Sequence, residues 1–315
     1  REPAEGTVPH LRMKKPTPRR ARPAPAPADQ SVLTLEADAA YADELAAWLE
    51  ARFGKSPVQL QRPDSNRVWI ELYFDTDAEA VRASRASAGQ PGVLGAGTRL
   101  CRARDWQSFW RHHFHAHDVG TRLRICPTWE ARRDRAPGRV RLLLDPGLSF
   151  GTGEHFTTRF CLEMLDTLCQ KSRPLSMLDV GTGSGILAMA AAKLGVRRVL
   201  GTDNDAQALE QARRNLALNR LGRRIRLAVM DITTAPPPGR FDLVCANIYA
   251  RILIEVAPAL VRCAQKHLVL SGIREHELDG VAETYLDLGL REIGRDGDGQ
   301  WGGLVLECRT RSSST

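Results

Sequence analysis

The stretch Leu178-Asp-Val-Gly-Thr-Gly-Ser-Gly-Ile-Leu-Ala188 sets three glycines at a turn between a predicted strand and a predicted helix. Because glycine has no side chain, such a turn lets backbone N–H groups and the helix N-terminus approach a ligand closely. Gly181 and Gly183 are therefore candidate ligand contacts. The dinucleotide-binding fingerprint needs a further glycine at position 186, where this chain has Ile186, so the turn argues against NAD.

Around this turn, strands and helices alternate regularly from Leu142 onward. Alternation of this kind predicts an α/β fold, a doubly wound seven-stranded sheet with helices on both faces. Ligands of such sheets bind at the carboxyl ends of the strands. The predicted strands are 177–179, 198–202, 225–230, 242–247, 267–271, 290–293 and 304–308, and the predicted helices are 186–194, 206–218, 251–263 and 275–288.

Carboxylates stand at the ends of the second and third of these strands. Asp203 follows Gly181 by twenty-two residues, a position where a carboxylate can accept hydrogen bonds from both ribose hydroxyls of a nucleoside. It could instead cap the next helix, although Asp205 is better placed for that role. Asp231 could meet an adenine edge or be an ordinary turn residue.

A second glycine-rich loop, Asp145-Pro-Gly-Leu-Ser-Phe-Gly-Thr-Gly-Glu-His-Phe-Thr-Thr158, precedes the turn and runs into an amphipathic helix. Two such loops close together in the chain suggest one small molecule held from both sides. With the acidic strand end at Asp203, they favour S-adenosylmethionine over NAD. Asn247 ends the fourth strand, where its amide could accept hydrogen bonds from an amine about to be methylated, or cap the helix from Arg251.

The chain before residue 142 divides into three parts. Residues 1–30 form a basic tail rich in proline, alanine and arginine, which predicts disorder. Residues 31–103 follow the pattern β-α-β-β-α-β, which predicts a small ferredoxin-like α+β domain of a kind that more often binds than catalyses. Residues 104–141 are predicted to form a linker helix and strand. Their histidines allow either a metal site or a solvated or packing face: His112, His113, His115 and His117.

Composition narrows the classes of function. The 315 residues include no apolar run long enough to span a membrane, so no membrane partner is expected. Seven scattered cysteines without a C-x-x-C pair indicate a reducing, cytoplasmic setting. The formal charge of +8 allows a weak RNA contact through the basic tail, although an arginine-rich composition alone would give the same charge. We expect a monomer.

Several of these segments resemble the PrmA family, which methylates the large-subunit ribosomal protein L11. They are Asp145 to Thr158, the turn at Asp179, Asp203-Asn-Asp205, Asn247-Ile-Tyr-Ala250, Leu270-Ser-Gly-Ile273 and, upstream, Arg124-Ile-Cys-Pro-Thr-Trp-Glu130. The likeness covers about residues 31 to 309. It implies a Rossmann-like class I methyltransferase domain over residues 142–310, behind a substrate-recognition domain.

The resemblance also implies S-adenosylmethionine contacts at Thr158, Gly181, Asp203 and Asn247. The loop from Asp145 would then cover the cofactor from the side opposite the glycine turn. The chain departs from the family pattern at four positions, of which Glu154 and Tyr249 border the target site, while Phe156 replaces a proline at the start of a helix and Thr182 replaces a cysteine.

Methyl transfer from a sulfonium needs an in-line approach to a lone pair, so positioning and desolvation are the main tasks of the enzyme. We expect solvent to take the proton of the target amine, and Asn247, the predicted catalytic residue, to orient that amine. The predicted function is N-methylation of lysine side chains, the N-terminal α-amine, or both, in a large-subunit ribosomal protein. Methylation of another protein or of RNA, and catalytically silent binding during ribosome assembly, remain open as alternatives.

Overall fold

The computed structural model describes residues 29–55, 57–61, 66–101, 114–146, 153–235 and 237–308. The chain divides after Ala103 into two compact units. The predicted tail up to residue 28 and the predicted linker helix up to residue 113 lie outside the described residues. Within the described ranges, no helix has both the length and the apolar character that crossing a membrane requires.

The N-terminal unit is a four-stranded sheet with two helices. Its strands lie in the order β2-β3-β1-β4, each antiparallel to its neighbours, which agrees with the ferredoxin-like prediction. Alternate residues of β1 and β3, such as Leu33 and Ile70, are fully buried in its core. The elements are β1 (Gln30–Asp38), α1 (Ala42–Phe53), β2 (Val58–Gln61), β3 (Arg67–Phe74), α2 (Asp77–Ser87) and β4 (Val93–Cys101).

The second unit contains a seven-stranded sheet in the order β10-β9-β8-β11-β12-β14-β13, and it confirms the predicted doubly wound fold. The five strands from β10 to β12 are parallel, and β14 and β13 are antiparallel additions. The strands are β8 (Ser176–Val180), β9 (Arg198–Asp203), β10 (Ile225–Val229), β11 (Phe241–Asn247), β12 (Ala264–Arg274), β13 (Leu290–Gly297) and β14 (Trp301–Cys308).

Helices cover both faces of this sheet. Every residue of β8 is buried, as expected for a central parallel strand, so the sheet has one core on each side. Helices α3 and α4 pack over one core, and α6, α7 and α8 pack over the other. The helices are α3 (Phe156–Lys171), α4 (Ile186–Lys193), α5 (Ala206–Leu218), α6 (Ala250–Glu255), α7 (Ala257–Cys263) and α8 (Leu278–Asp287).

The single helix predicted over 251–263 is wrong, because α6 ends at Glu255 and α7 begins at Ala257. Pro258 is the reason for the break. Proline has no N–H to donate, and its ring collides with the carbonyl four residues earlier in a continuous helix. α7 ends at Cys263 and leads directly into β12, which begins at Ala264.

Residues 117–144 form a three-stranded sheet that the sequence pattern did not predict. Its strands are β5 (His117–Val119), β6 (Leu123–Pro127) and β7 (Val140–Leu144), in the order β5-β6-β7. Its apolar residues belong to the same core as α3. The central strand, β6, overlaps the segment Arg124 to Glu130 that resembles the family, within the region where one strand was predicted.

A buried carboxylate ties this small sheet to α3. Asp166 accepts hydrogen bonds from Thr121 N (2.7 Å), Thr121 Oγ1 (2.8 Å), Arg122 N (3.1 Å) and Arg122 Nε (2.6 Å). Burial alone would raise the pKa of this carboxyl. The Arg122 guanidinium and the other donors outweigh that effect and hold the pKa of Asp166 below its ordinary value.

The first turns of α3 approach the sheet closely where β14 has a glycine. A Cβ on Gly303 would lie 2.8 Å from Phe160 Cγ, and closer still to two other carbons of the ring. Both the backbone at Gly303 and the Phe160 ring belong to the interior. The absence of a side chain at this position therefore sets how near α3 can lie to the sheet.

We predict that Gly303→Ala destabilises the second unit by about 1–3 kcal/mol, since the added methyl overpacks the contact with Phe160. Thermal denaturation followed by circular dichroism would show a Tm lower by several degrees. Gly294→Ala on the neighbouring strand is the control, because the nearest atom to its added methyl is Val305 Cβ at 4.0 Å. Equal Tm values for the two variants would contradict this packing account.

Candidate functional site

The glycine turn lies where β8 ends and α4 begins. Gly181, Gly183 and Gly185 have φ angles of 68°, 51° and 80°, in the left-handed region that costs other residues roughly 1–2 kcal/mol. Thr182 N donates to Thr202 O (2.9 Å), which fastens the turn to β9. Gly185 is the N-cap of α4 and provides no side-chain cap, and in the first turn of the helix Ala188 N donates to Asp179 Oδ2.

The buried side chain of Asp179 stabilises the turn through hydrogen bonds. The residue is fully buried, and its Oδ2 accepts hydrogen bonds from Thr182 Oγ1 (2.6 Å) and Ala188 N (3.1 Å). Its Oδ1 is also buried and has no hydrogen-bond partner among the described residues. Burial raises the pKa of Asp179 from 3.8 to about 7, against the opposing effect of these two donors.

Asp203 ends β9 and lies against the same turn. Its Oδ2 accepts a hydrogen bond from Gly183 N (2.9 Å) and its Oδ1 accepts one from Asp205 N (3.0 Å). A carboxylate has about four lone-pair sites, so Asp203 keeps acceptor capacity for a ligand. Burial raises the pKa of Asp203, and the backbone donors partly offset that effect. The cap of α5 is Asp205, which accepts from Gln207 N (2.8 Å), so the alternative capping role for Asp203 is not needed.

Thr158 and Asn247 meet beside the turn. Thr158 lies in the first turn of α3 and is 1% exposed, whereas Asn247 is the last residue of β11. Asn247 Nδ2 donates to Thr158 Oγ1 over 3.4 Å, at the long end of the hydrogen-bond range. This bond directs the amide nitrogen toward α3 and leaves Asn247 Oδ1 able to accept from a ligand. The N-cap of α6 is Tyr249, so Asn247 is not the helix cap.

Ile248 connects the glycine turn with the Thr158–Asn247 contact, and the sequence pattern did not identify it as a site residue. A Cβ on Gly181 would lie 2.6 Å from Ile248 Cγ2, so the glycine turn and the residue after Asn247 are in close contact. The structure thus brings the predicted site residues together along one edge of the sheet: Thr158, Gly181, Gly183, Asp203 and Asn247. The close contact at Gly181 is a signal that only the folded chain can provide.

The predicted covering loop is anchored at its start by polar side chains of α5. Asn215 Oδ1 accepts from Asp145 N (2.9 Å), and Gln211 Nε2 donates to Asp145 O (2.7 Å). The other end of the Asn215 amide donates to Ser184 O (2.9 Å) in the glycine turn. One buried amide therefore fixes the spacing between the loop and the turn. Residues 147–152, the middle of the predicted lid, lie outside the described residues.

The loop leads into α3 through a histidine cap. His155 is the N-cap, with its Nδ1 2.9 Å from Thr157 Oγ1, and its ring meets Trp301 edge-on at 5.2 Å. Burial lowers the pKa of His155, which favours the neutral ring. Phe156 is the first residue of the helix, as predicted, and stacks on Phe160 at 6.1 Å. Apolar packing thus holds the helix start that a proline would otherwise pre-organise.

The remaining candidates have structural partners. Asp231 Oδ1 accepts from Thr233 N (2.9 Å) and Thr233 Oγ1 (2.7 Å), the pattern of a turn residue. His115 Nδ1 lies 2.8 Å from Glu130 Oε1, and His117 Nδ1 donates to His115 O (3.0 Å). Within the ranges the structure describes, no group of three metal-ligating side chains occurs. His112 and His113 lie outside those ranges.

Comparison with known proteins gives one consistent result. Residues 31–309 match the family described as ribosomal protein L11 methyltransferase (PrmA). The protein of that name from Geobacter sulfurreducens is 45% identical over 222 residues, 70% of this chain and 72% of the relative. The one from Pectobacterium atrosepticum is 40% identical over 244 residues, 74% of this chain and 80% of the relative.

A solved structure agrees with these matches. The crystal structure of ribosomal protein L11 methylase from Lactobacillus delbrueckii subsp. bulgaricus is 33% identical in sequence, with a TM-score of 0.57. The similarity covers 62% of this chain and 100% of that one.

We predict that Asp179→Asn changes how stability depends on pH. Asp179 keeps its proton in the folded chain up to about pH 7 but loses it near pH 3.8 when unfolded. The stability from this group is therefore present below pH 3.8 and is lost as the pH rises toward 7, by at most about 1.4 kcal/mol per pH unit. Asn has the same shape and does not titrate.

Urea unfolding of both proteins across this pH range measures the effect. The free energy of unfolding of the unmodified chain should fall relative to that of Asp179→Asn as the pH rises. Parallel curves would show that the Asp179 carboxyl does not hold a proton in the folded state.

Proposed function

We propose that this chain, which belongs to the ribosomal protein L11 methyltransferase (PrmA) family, transfers methyl groups from S-adenosylmethionine to amino groups of ribosomal protein L11. Membership of this family makes the chain a methyltransferase. The observation that carries the proposal is the position of Asn247, whose Oδ1 can accept a hydrogen bond at the edge shared with the glycine turn. The match extends over both compact units, and we assign substrate recognition to the first of them.

The residues present fit a sulfonium nucleoside as methyl donor. Gly181 and Gly183 are half-buried and have no side chain to cover their backbone, and the Asp203 carboxylate keeps acceptor capacity for ribose hydroxyls. S-adenosylmethionine would supply an electrophilic methyl group there. Thr158 and Asn247 would contact the donor from the side of α3.

Asn247 would orient the target amine. An amine must lose its proton before its lone pair can attack, and about one lysine in a thousand is neutral near pH 7.4, against roughly a quarter of N-terminal α-amines. The described carboxylates nearest the turn, Asp179 and Asp203, are engaged with the turn itself. We therefore assign the proton to solvent. The chain then contributes orientation through Asn247 Oδ1 and removal of water around the methyl group.

We also propose that the chain acts as a monomer in the cytoplasm. The seven cysteines are all unpaired, and six of them are buried, which fits a reducing compartment. The alternative, RNA contact through the basic tail, predicts methyl label on RNA instead of on L11.

The direct test uses unmethylated L11 from cells lacking the enzyme, labelled S-adenosylmethionine and mass spectrometry of the product. We expect label on lysine side chains or the N-terminal amine of L11. Label confined to RNA, or none on L11 although the donor binds, would overturn the proposed function. The second outcome would favour a silent binder.

We predict that Asn247→Ala lowers kcat about 100-fold, because the target amine loses its orienting acceptor. The folded state should persist, since Asn247 makes a single long bond to Thr158. Thr158→Val is the companion variant, as it removes the hydroxyl group and keeps the shape. A kcat within about three-fold of the unmodified value in Asn247→Ala would exclude Asn247 as the orienting residue.

We predict that Asp203→Asn weakens donor binding about 10- to 100-fold, since an amide cannot accept on both sides as the carboxylate does. Isothermal calorimetry with S-adenosylhomocysteine measures this without any methyl transfer. Asp205→Asn is the matched control, because asparagine caps a helix as well as aspartate does. If both variants bound S-adenosylhomocysteine with equal affinity, Asp203 would not be a contact of the donor.

A further inference from the structure

Ile248 lies between two glycines that have left-handed backbones. On one side, a Cβ on Gly272 would lie 2.6 Å from Ile248 O and 2.9 Å from its C and N atoms, and the φ of Gly272 is 82°. On the other side, a Cβ on Gly181 would lie 2.6 Å from Ile248 Cγ2, and the φ of Gly181 is 68°. Real Cβ atoms do not approach other atoms so closely, so both contacts require glycine.

The two contacts differ in kind. Gly272 meets the backbone of Ile248, which cannot move without moving the peptide that joins it to Asn247. Gly181 meets only a side-chain methyl group. A third restraint comes from Ser271, whose carbonyl accepts from Ile248 N (3.1 Å) and whose hydroxyl donates to Gly302 O (3.0 Å). The peptide after Asn247 is therefore held by β12 on one face and by the glycine turn on the other.

We propose that Gly272 and Ile248 are positioning residues that set the direction of the Asn247 amide. Gly272 allows the backbone of Ile248 to pack directly on the end of β12. The Ile248 side chain contacts the glycine turn, so the position of that turn also affects the position of Asn247. The distance between the glycine turn, where the methyl donor would bind, and Asn247, where the amine would bind, is then fixed. This inference rests on the proposed role of Asn247 in methyl transfer.

The expected size of the effect follows from geometry. Displacing a reacting group by about 1 Å can cost about 100-fold in rate. A methyl group at position 272 needs a shift of several tenths of an ångström in the backbone that carries Asn247. Catalysis should therefore fall much more than donor affinity, because the Asp203 contacts lie two strands away across the sheet.

The first experiment compares Gly272→Ala with Gly289→Ala. Gly289, between α8 and β13, has a φ of 90° and nothing within 4 Å of an added Cβ, so it imposes the same kind of backbone strain without the contact. We expect Gly272→Ala to lower kcat at least about ten-fold, with a donor Kd within about three-fold of the unmodified chain. Gly289→Ala should leave both constants near the unmodified values. Equal kcat values for the two variants would overturn the proposal.

The second experiment uses compensation. Ile248→Ala removes the Cγ2 atom that a methyl group on residue 181 would strike, but it keeps the backbone atoms that a methyl group on residue 272 would strike. We expect Ile248→Ala to restore part of the kcat lost in Gly181→Ala and none of that lost in Gly272→Ala. Equal rescue of both, or rescue of Gly272→Ala alone, would contradict the assigned contacts.

A readout independent of activity separates this inference from the proposed function. The chain has five asparagines, so selective ¹⁵N labelling gives a simple side-chain amide spectrum, in which Asn247→Ala identifies the Asn247 signal. We expect that signal to shift in Gly272→Ala and to stay in place in Gly289→Ala. An unshifted signal in Gly272→Ala overturns the positioning role. Absence of L11 methylation by the unmodified chain overturns the proposed function instead, whatever the spectrum shows.

Discussion

The left-handed turn between β8 and α4 is the constraint on which the site depends. Three glycines let the chain reverse within five residues, so that Gly183 N meets Asp203 and Thr182 N meets the backbone of β9. A side chain at Gly181 would strike Ile248, and one at Gly185 would lie 3.2 Å from two side chains of α5. Because these glycines have no side chains, the backbone of the turn can approach a ligand, and neighbouring residues can pack closely against it. Ligand access and packing therefore both require glycine at these positions.

Buried polar side chains set the distances around this turn. Asp179 holds it from below, and Asn215 links it to the loop that begins at Asp145. Farther along α3, Asp166 fastens the small three-stranded sheet to the same helix that carries Thr158. Each of these groups is costly to bury unless its hydrogen bonds form, so each favours one arrangement over looser alternatives. The geometry of the site therefore depends also on buried polar residues that would not touch a ligand.

Much of the methyltransferase unit could be predicted because its strands and helices alternate and its central strands are mostly apolar and buried on both faces. The break at Pro258 was visible in the sequence, but an otherwise continuous apolar pattern concealed it. The sheet over 117–144 escaped prediction because its strands are short and its pairing partners are separated by turns without a clear period. The candidates Gly181, Gly183, Asp203 and Asn247 followed from strand ends, whereas Thr158 followed from the family resemblance. Ile248 and Gly272 did not, since their importance lies in a close approach between residues distant in the sequence.

A crystal structure of the chain with S-adenosylhomocysteine and an L11 segment bearing the target amine tests the central claim most directly. The account predicts the ribose hydroxyls on Asp203, the backbone of Gly181 and Gly183 against the ligand, and Asn247 Oδ1 within hydrogen-bond distance of the amine. It also predicts that Ile248 stays in place between its two glycines. A ligand bound away from the glycine turn, or an amine oriented by groups other than Asn247, would contradict it.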